Sequence, residues 1–311
     1  MYYLKLYNSF AKVTIFLVGV VICAGGFVRM TGSGMGCPDW PKCFGFWVPP
    51  TSISELPPNY KELYANRGYD KLNFNVFNTW TEYINRLLGV FAGFSSACLL
   101  FISLLTKNKK LIFFSFLLVF LMGFQGWMGS IVVASVLSPF KISIHMIIAL
   151  FILTLCLFLS HITDNSYQRF KSKTLKKIII ISLCISFVQI VLGTQVREEV
   201  DMILKQFTKY SIMSHIGSVF FIHRLSSWLV LLSGLSIIVY LIKLKQTDLS
   251  IYIILFSLLS MFLTGIAMTY FYFPGFGQLC HLVFAVLLFF AQFNLLLKCY
   301  RFPPIQVSPL L

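Results

Sequence analysis

The sequence predicts an all-α polytopic membrane protein, with eight transmembrane helices arranged as two pseudo-symmetric four-helix bundles and both termini inside (N-in/C-in). Three observations predict it. The 311 residues are 58% apolar and only 11% charged. Soluble domains carry about 25% charged residues, so neither a water-soluble globule nor a disordered chain accommodates this composition. Eight apolar runs approach the roughly 20 residues needed to cross about 30 Å of hydrocarbon. Finally, the formal charge of +15 sits mostly in short clusters between those runs. That placement is a signal of membrane topology and not of nucleic-acid binding.

The runs cover residues 12–30, 80–105, 111–131, 142–160, 176–195, 216–242, 251–270 and 279–297. The first lacks a small-residue cleavage site and continues into Gly25-Gly26-Phe27-Val28-Arg29, so it reads as a retained span. Residues 31–79 contain six prolines and two tryptophans, Trp40 and Trp47, with Trp80 just beyond. This segment is too long for a bare connector and is expected to fold over the outer face. Its tryptophans equally suit interface anchors. With the N-terminus inside, fourteen lysines and arginines (within 5–12, 107–110, 169–177, 243–245 and 298–301) face inward, opposed only by Asp164 and Asp248. The positive-inside rule therefore selects N-in and C-in.

The two halves repeat. Gly26-Phe27-Val28-Arg29 leaves span 1 as Thr194-Gln195-Val196-Arg197 leaves span 5, and Asn85-Arg86-Leu87 opens span 2 as His223-Arg224-Leu225 opens span 6. Gly126-Trp127-Met128-Gly129 in span 3 answers Thr264-Gly265-Ile266-Ala267 in span 7, and His145 in span 4 answers His281 in span 8. Each unit starts on the same side, so the repeat is parallel, with halves 1–160 and 176–299.

Four of the five histidines fall at or near outer ends of spans. An intramembrane histidine is a functional-site hypothesis, and imidazole is a usual axial ligand of haem iron. His223 and His281, at matching depths, could hold a haem between them, with Arg197 and Arg224 pairing its propionates. Bonding of these histidines across helices is the alternative. His215 reads as a structural loop residue and His161 as a solvated one in a basic inner loop. In the first half, which offers His145 on span 4, Glu82, Asn85 and Arg86 share one face at the entry to span 2. Glu82 could move protons or orient water at a bound substrate, or it could pair with Arg86 or Arg29. Arg29 and Arg86 are the basic candidates for cofactor binding in this half.

Six cysteines (Cys23, Cys98, Cys156, Cys184, Cys280 and Cys299) lie in or beside spans and read as small buried hydrophobes. Cys37 and Cys43 lie in the first outer loop, where a disulfide, acting as a staple or in redox chemistry, is permitted. Without further ligands they make a poor zinc site.

These motifs together resemble the haem A synthase family, that of CtaA and mitochondrial Cox15. The resemblance rests on Gly32-Ser33-Gly34-Met35-Gly36-Cys37-Pro38-Asp39-Trp40-Pro41-Lys42-Cys43 and Glu82-Tyr83-Ile84-Asn85-Arg86-Leu87. Gln125 through Gly129, His145, Gln189 through Arg197, His223-Arg224-Leu225 and His281 complete it. It implies oxidation of the haem O C8 methyl to a formyl group by two hydroxylations, through an alcohol and a geminal diol that loses water. Haem A then passes to the haem–copper cytochrome oxidase. It also implies haem b between His223 and His281, haem O near His145, and catalytic or transfer roles for Glu82, Cys37 and Cys43. Implied partners are haem O synthase and cytochrome oxidase assembly factors, in a bacterial cytoplasmic membrane with haem sites near the outer face. A homo-oligomer is compatible, and the electron acceptor is unassigned. Asn85 departs from the family, which usually has a histidine there, so two histidines cannot ligate substrate iron through positions 85 and 145. Either His145 binds it alone with the Asn85 side open or water-occupied, where Asn85 would hydrogen-bond water or an oxygen species, or the chain is a haem-binding protein without synthase activity. A quinol-linked membrane cytochrome b and a haem transporter are the alternative classes.

Overall fold

A computed structural model describes residues 2–164, 167–302 and 305. Among the described residues, eight helices are long and apolar enough to cross a membrane. They are α1 (Tyr2–Met30), α2 (Val76–Thr106), α3 (Lys109–Ala134), α4 (Pro139–Thr163), α5 (Lys173–Gln206), α6 (Ser218–Lys243), α7 (Leu249–Tyr270) and α8 (Gly275–Lys298). No strand forms among the described residues; the pairing of Cys43 with Phe46 is an isolated bridge. Helix starts follow side-chain capping of free backbone amides. Asn75 accepts from Asn78 N, Asn108 from Leu111 N, Ser172 from Leu175 N and Asp248 from Ser250 N.

The helices outrun their apolar stretches, most of all α5, which continues past the expected end at 195 to Gln206. Val196, Val200 and Ile203 recur at helical spacing and bury against Ile212, Ile216, Phe220 and Phe273. An Arg197–Asp201 ion pair of 2.8 Å supports the same turn. Hydropathy sees only the membrane part of such a helix.

The described residues divide into two compact units that meet in sequence between Thr163 and Asp164. In the first, α1 packs on α2 and α4, and α3 packs on α2 and α4, so α2 and α4 are diagonal. Polar pairs link the helices, across the bundle as well as between neighbours, where lipid offers no hydrogen bonds. Tyr7 and Ser115 hydroxyls meet at 2.7 Å, as do Thr14 and Ser95, and Asn8 Nδ2 donates to Ser160 O at 2.9 Å. In the second unit α5 packs on α6 and α8, and α7 packs on α6 and α8, leaving α6 and α8 diagonal. Its core gathers Leu175, Ile179, Ile237, Leu241, Ile254 and Leu295. Ser182 Oγ bonds Ser233 Oγ and accepts from Gln292 Nε2, both at 3.0 Å.

The segment after α1 has a core of its own. Phe44 is ringed edge-on by Tyr60, Tyr64, Tyr69 and Phe74 at 5.3–6.2 Å, over the buried Cys37 and Cys43. Phe44 takes φ +53°, a left-handed conformation costing about 1–2 kcal/mol. The Asp39 carboxylate holds it there, accepting from Phe44 N at 2.6 Å and Gly45 N at 2.8 Å. Trp40 and Trp47 are exposed. Arg67 Nη1 donates to Ala134 O at 2.5 Å, tying the segment to the end of α3.

Two expectations need correction. His161 is buried, not solvated, because α4 runs on to Thr163 and keeps it inside the helix. Of the six unpaired cysteines only Cys156 is buried, while Cys23 and Cys184 are exposed on helix faces. Lipid-facing surface is apolar too, so a cysteine in a span need not enter the protein core.

At the other end of the second unit, Lys298 Nζ donates to Asp248 Oδ2 at 2.5 Å and Ser250 N to Oδ1 at 2.9 Å. Burial alone would raise the Asp248 carboxyl, but these bonds outweigh it and hold the group below the ordinary carboxylate range. A depressed folded pKa contributes stability above the unfolded value, lost as pH falls through the folded one. Asp248→Asn is therefore expected to lower stability at neutral pH by about 1 kcal/mol. Thermal unfolding in detergent should show that deficit vanish on acidification through the carboxylate range.

Candidate functional site

The second unit brings His223 of α6 and His281 of α8 face to face across its diagonal. Their ring centres lie 6.3 Å apart, with planes inclined at 61°. Each ring rests on a glycine of a neighbouring helix. A Cβ on Gly193 would come within 3.3 Å of His223 Cε1, and one on Gly265 within 3.7 Å of His281 Cε1. Gln189, one helical turn before Gly193, donates from Nε2 to His223 O at 2.8 Å and accepts from Ser226 Oγ at 2.6 Å. The Thr264 hydroxyl gives its proton to Ser260 O at 2.7 Å, so its oxygen accepts from His281 Nδ1 at 2.9 Å. That bond fixes the tautomer and leaves the Nε2 lone pair of His281 for a metal. His223 Nδ1 is buried without a hydrogen-bond partner.

The spacing suits one metal between two imidazoles. A metal–nitrogen bond of roughly 2 Å plus roughly 1 Å to the ring centre, taken twice, gives roughly 6 Å. Among the described residues no group of three or more His, Cys, Asp or Glu gathers at a metal-binding spacing. The donor set thus fits an axially ligated haem and lacks the ligand number of a bare structural metal.

Arg197 lies one turn beyond Gly193 on α5. It pairs with Asp201 at 2.8 Å and donates through Nη1 to Gln278 Oε1. Arg224 is exposed, turned about 100° around α6 from His223. His215 ends a single helical turn, stacked on Phe207 at 4.0 Å and bonded to Ser211 O at 2.8 Å.

In the first unit His145 of α4 is held as His223 is. Gln125 Nε2 donates to His145 O at 2.9 Å, and a Cβ on Gly129 would lie 3.6 Å from His145 Cε1. The glycine contacts pair Gly129 with Gly265, where the sequence comparison had set Gly129 against Ala267. Hydropathy alone leaves helix register loose; the imidazole contact fixes it. Asn85 of α2 is partly buried, and its Oδ1 has no hydrogen-bond partner. Arg29 ends α1, partly buried.

Glu82 and Arg86 clasp the loop before α2. Cys37 and Cys43 are joined in a disulfide. Glu82 is 4% exposed; its Oε1 pairs with Arg86 Nη2 at 2.5 Å and its Oε2 accepts from Cys37 N at 2.9 Å. Arg86 Nη1 donates to Asp39 O at 2.7 Å and Lys42 O at 3.0 Å, and Nη2 to Cys37 O at 3.3 Å. The guanidinium thus gathers three carbonyls of the disulfide ring. Gly36 lets the loop lie against α2, where a Cβ would fall 2.3 Å from Asn78 O, and Thr79 Oγ1 donates to Gly36 O at 2.9 Å.

Residue type alone did not single out Gln125, Gln189, Thr264 or Gln278. For the first three the available signal was a polar residue one turn before, or directly before, a glycine opposite a histidine; Gln278, the acceptor of Arg197, carried none. For the loop, Arg86→Met removes several charge-assisted bonds and leaves the buried Glu82 unpaired, a loss of about 2–3 kcal/mol. Reduction of the Cys37–Cys43 disulfide by mild thiol, followed by maleimide labelling, is expected to quicken by about 30-fold or more.

The COX15-CtaA family of cytochrome oxidase assembly proteins matches residues 8–293. The chain is similar to a protein named heme A synthase from Pelagibacter ubique, 33% identical over 61% of this chain and 60% of that one. It is 29% identical to the heme A synthase of Shewanella oneidensis over 58% of this chain and 54% of the relative. These two alignments span little more than half of each relative's length. That of Rickettsia felis aligns over 95% of this chain and 97% of its own length, at 23% identity. With a family match running from α1 into α8, around paired histidines and a clasped disulfide loop, the chain belongs to the COX15-CtaA family of cytochrome oxidase assembly proteins.

Proposed function

We propose that the chain is a haem A synthase, oxidising the C8 methyl of haem O to a formyl group and supplying haem A for cytochrome oxidase. The observation that carries this reading is the asymmetry between the units. One offers two imidazoles at a haem-spanning distance of 6.3 Å; the other offers one imidazole, His145, and a disulfide loop clasped to α2. A resident redox centre and a separate substrate site are what such a reaction requires. The names of the similar proteins support it.

In this reading His223 and His281 would hold haem b, which would supply one-electron chemistry. Thr264 keeps His281 in the ligating tautomer, and Gln189 with Gly193 fixes the level and tilt of the His223 ring. Arg197, one turn beyond Gly193, and Arg224 at the helix opening are the basic residues that would pair with the haem carboxylates. His145 receives haem O, with Arg29 and Arg86 as basic residues at that end. Glu82 acts chiefly through the Cys37–Cys43 loop, since both of its oxygens are engaged there. The disulfide then serves as a staple that keeps the loop at the substrate end. N-in/C-in insertion in a bacterial cytoplasmic membrane, on the positive-inside charge pattern, puts both sites toward the outer face.

Co-expression with a haem O synthase in a host that makes no haem A tests the reading. Chromatography of extracted haems is expected to reveal haem A. Unaltered haem O with folded, haem-loaded protein would favour a membrane cytochrome b or a haem transporter instead. His223→Ala and Gly193→Leu are both expected to lose the low-spin haem spectrum, the first by removing a ligand and the second by displacing it. Gly123→Ala, whose added Cβ meets nothing within 4 Å, should retain it.

A further inference from the structure

The two units build the same frame but fill one position differently. In each, the second and fourth helices are diagonal, and the fourth carries a histidine laid on a glycine of the third, His145 on Gly129 and His281 on Gly265. The second helix opens with Asn85-Arg86-Leu87 in one unit and His223-Arg224-Leu225 in the other. His223 faces His281 across its unit at 6.3 Å, and by the repeat the matching position in the first unit belongs to Asn85.

A carboxamide is a poor iron ligand, but it carries both a donor and an acceptor for hydrogen bonds. Asn85 Oδ1 is buried with no partner, and so are Trp80 Nε1 on the same helix and Gln125 Oε1 on α3. Buried polar atoms are normally satisfied, and His145 Nδ1 is a further one without a partner, so the Asn85 amide and the His145 imidazole both leave a polar group for an occupant to meet. In the second unit the position matching Asn85 is filled by His223, whose ring lies 6.3 Å from that of His281.

We propose that the first unit is a haem site with a single protein axial ligand, His145, and an open sixth position faced by Asn85 that takes water or a small diatomic ligand. The inference rests on the haem-binding reading above and adds to it the coordination number of the substrate iron. Asn85 Nδ2 donates to the oxygen of the exogenous ligand, while Oδ1 is available to accept from a bound water. Asn85 is thereby a residue that selects ligands, placed where the other unit has a metal ligand.

The test uses the full chain in detergent, reconstituted with two equivalents of haem b, reduced, and titrated with carbon monoxide. The expected result is that half of the haem binds carbon monoxide and is high-spin in the ferric state, while half stays low-spin and unreactive. Asn85→His is expected to convert the reactive half to low-spin and reduce its carbon monoxide binding at least tenfold. His145→Ala should lose the reactive haem alone, with the remaining low-spin haem reporting that the chain has folded. Two bound haems that are both low-spin and unreactive would overturn the single-ligand site while leaving haem binding intact. Retention of only one haem, low-spin, would overturn the inference together with the haem-binding reading of the first unit.

Discussion

An imidazole laid directly on a glycine of a neighbouring membrane helix is the contact on which the rest of the site depends. Within a span there is no water to satisfy a displaced histidine, and lipid exerts no hydrophobic force that would press helices together. Ring placement therefore follows from how closely the helices approach. Gly129, Gly193 and Gly265 provide that approach, each leaving space that any Cβ would occupy at 3.3–3.7 Å. Gln125 and Gln189 then bind the carbonyl of the histidine they face, setting its height as the glycine sets its tilt. Two such contacts on helices that are diagonal in their unit bring His223 and His281 within reach of one metal.

The disulfide loop is governed by electrostatics. Glu82 is almost wholly buried, an expensive position for a carboxylate unless it is paired and hydrogen-bonded. Arg86 and the Cys37 amide meet both needs, and the remaining donors of Arg86 take three loop carbonyls. Loop conformation and the buried charge thus sustain each other. Asp39 adds a second anchor, holding Phe44 in its left-handed conformation under the tyrosines. A loop with so little regular structure stays ordered because its polar groups are paired and its aromatics share one centre.

Much of this was legible in the sequence. Composition and apolar runs predict eight helices because hydrocarbon thickness sets a length that few other folds use. Glu82, His145, His223 and His281 stand out because so few polar residues interrupt those runs. What hydropathy cannot register is structure outside the membrane or within its packing. The turns of α5 beyond residue 195 are amphipathic, and only Val196, Val200 and Ile203 betray them. His161 reads as solvated from its basic neighbours, yet the helix carries it inward. The glycines that seat the histidines leave no trace in polarity, because their role is one of shape, and the glutamines a turn before them gain meaning only from the histidine carbonyls they bond. Pairing Glu82 with Arg86 was one of two readings of their spacing; the loop carbonyls that share Arg86 lie more than forty residues away in sequence.

The central claim is that paired imidazoles in the second unit form a haem clamp built on glycine contacts. An electron cryo-microscopy map of the haem-loaded chain in a lipid nanodisc tests it most directly. The predicted map has a porphyrin between α6 and α8, both iron–nitrogen bonds made by His223 and His281, and the rings still resting on Gly193 and Gly265. A porphyrin bound elsewhere, or the two imidazoles closed on each other with none between them, would contradict it.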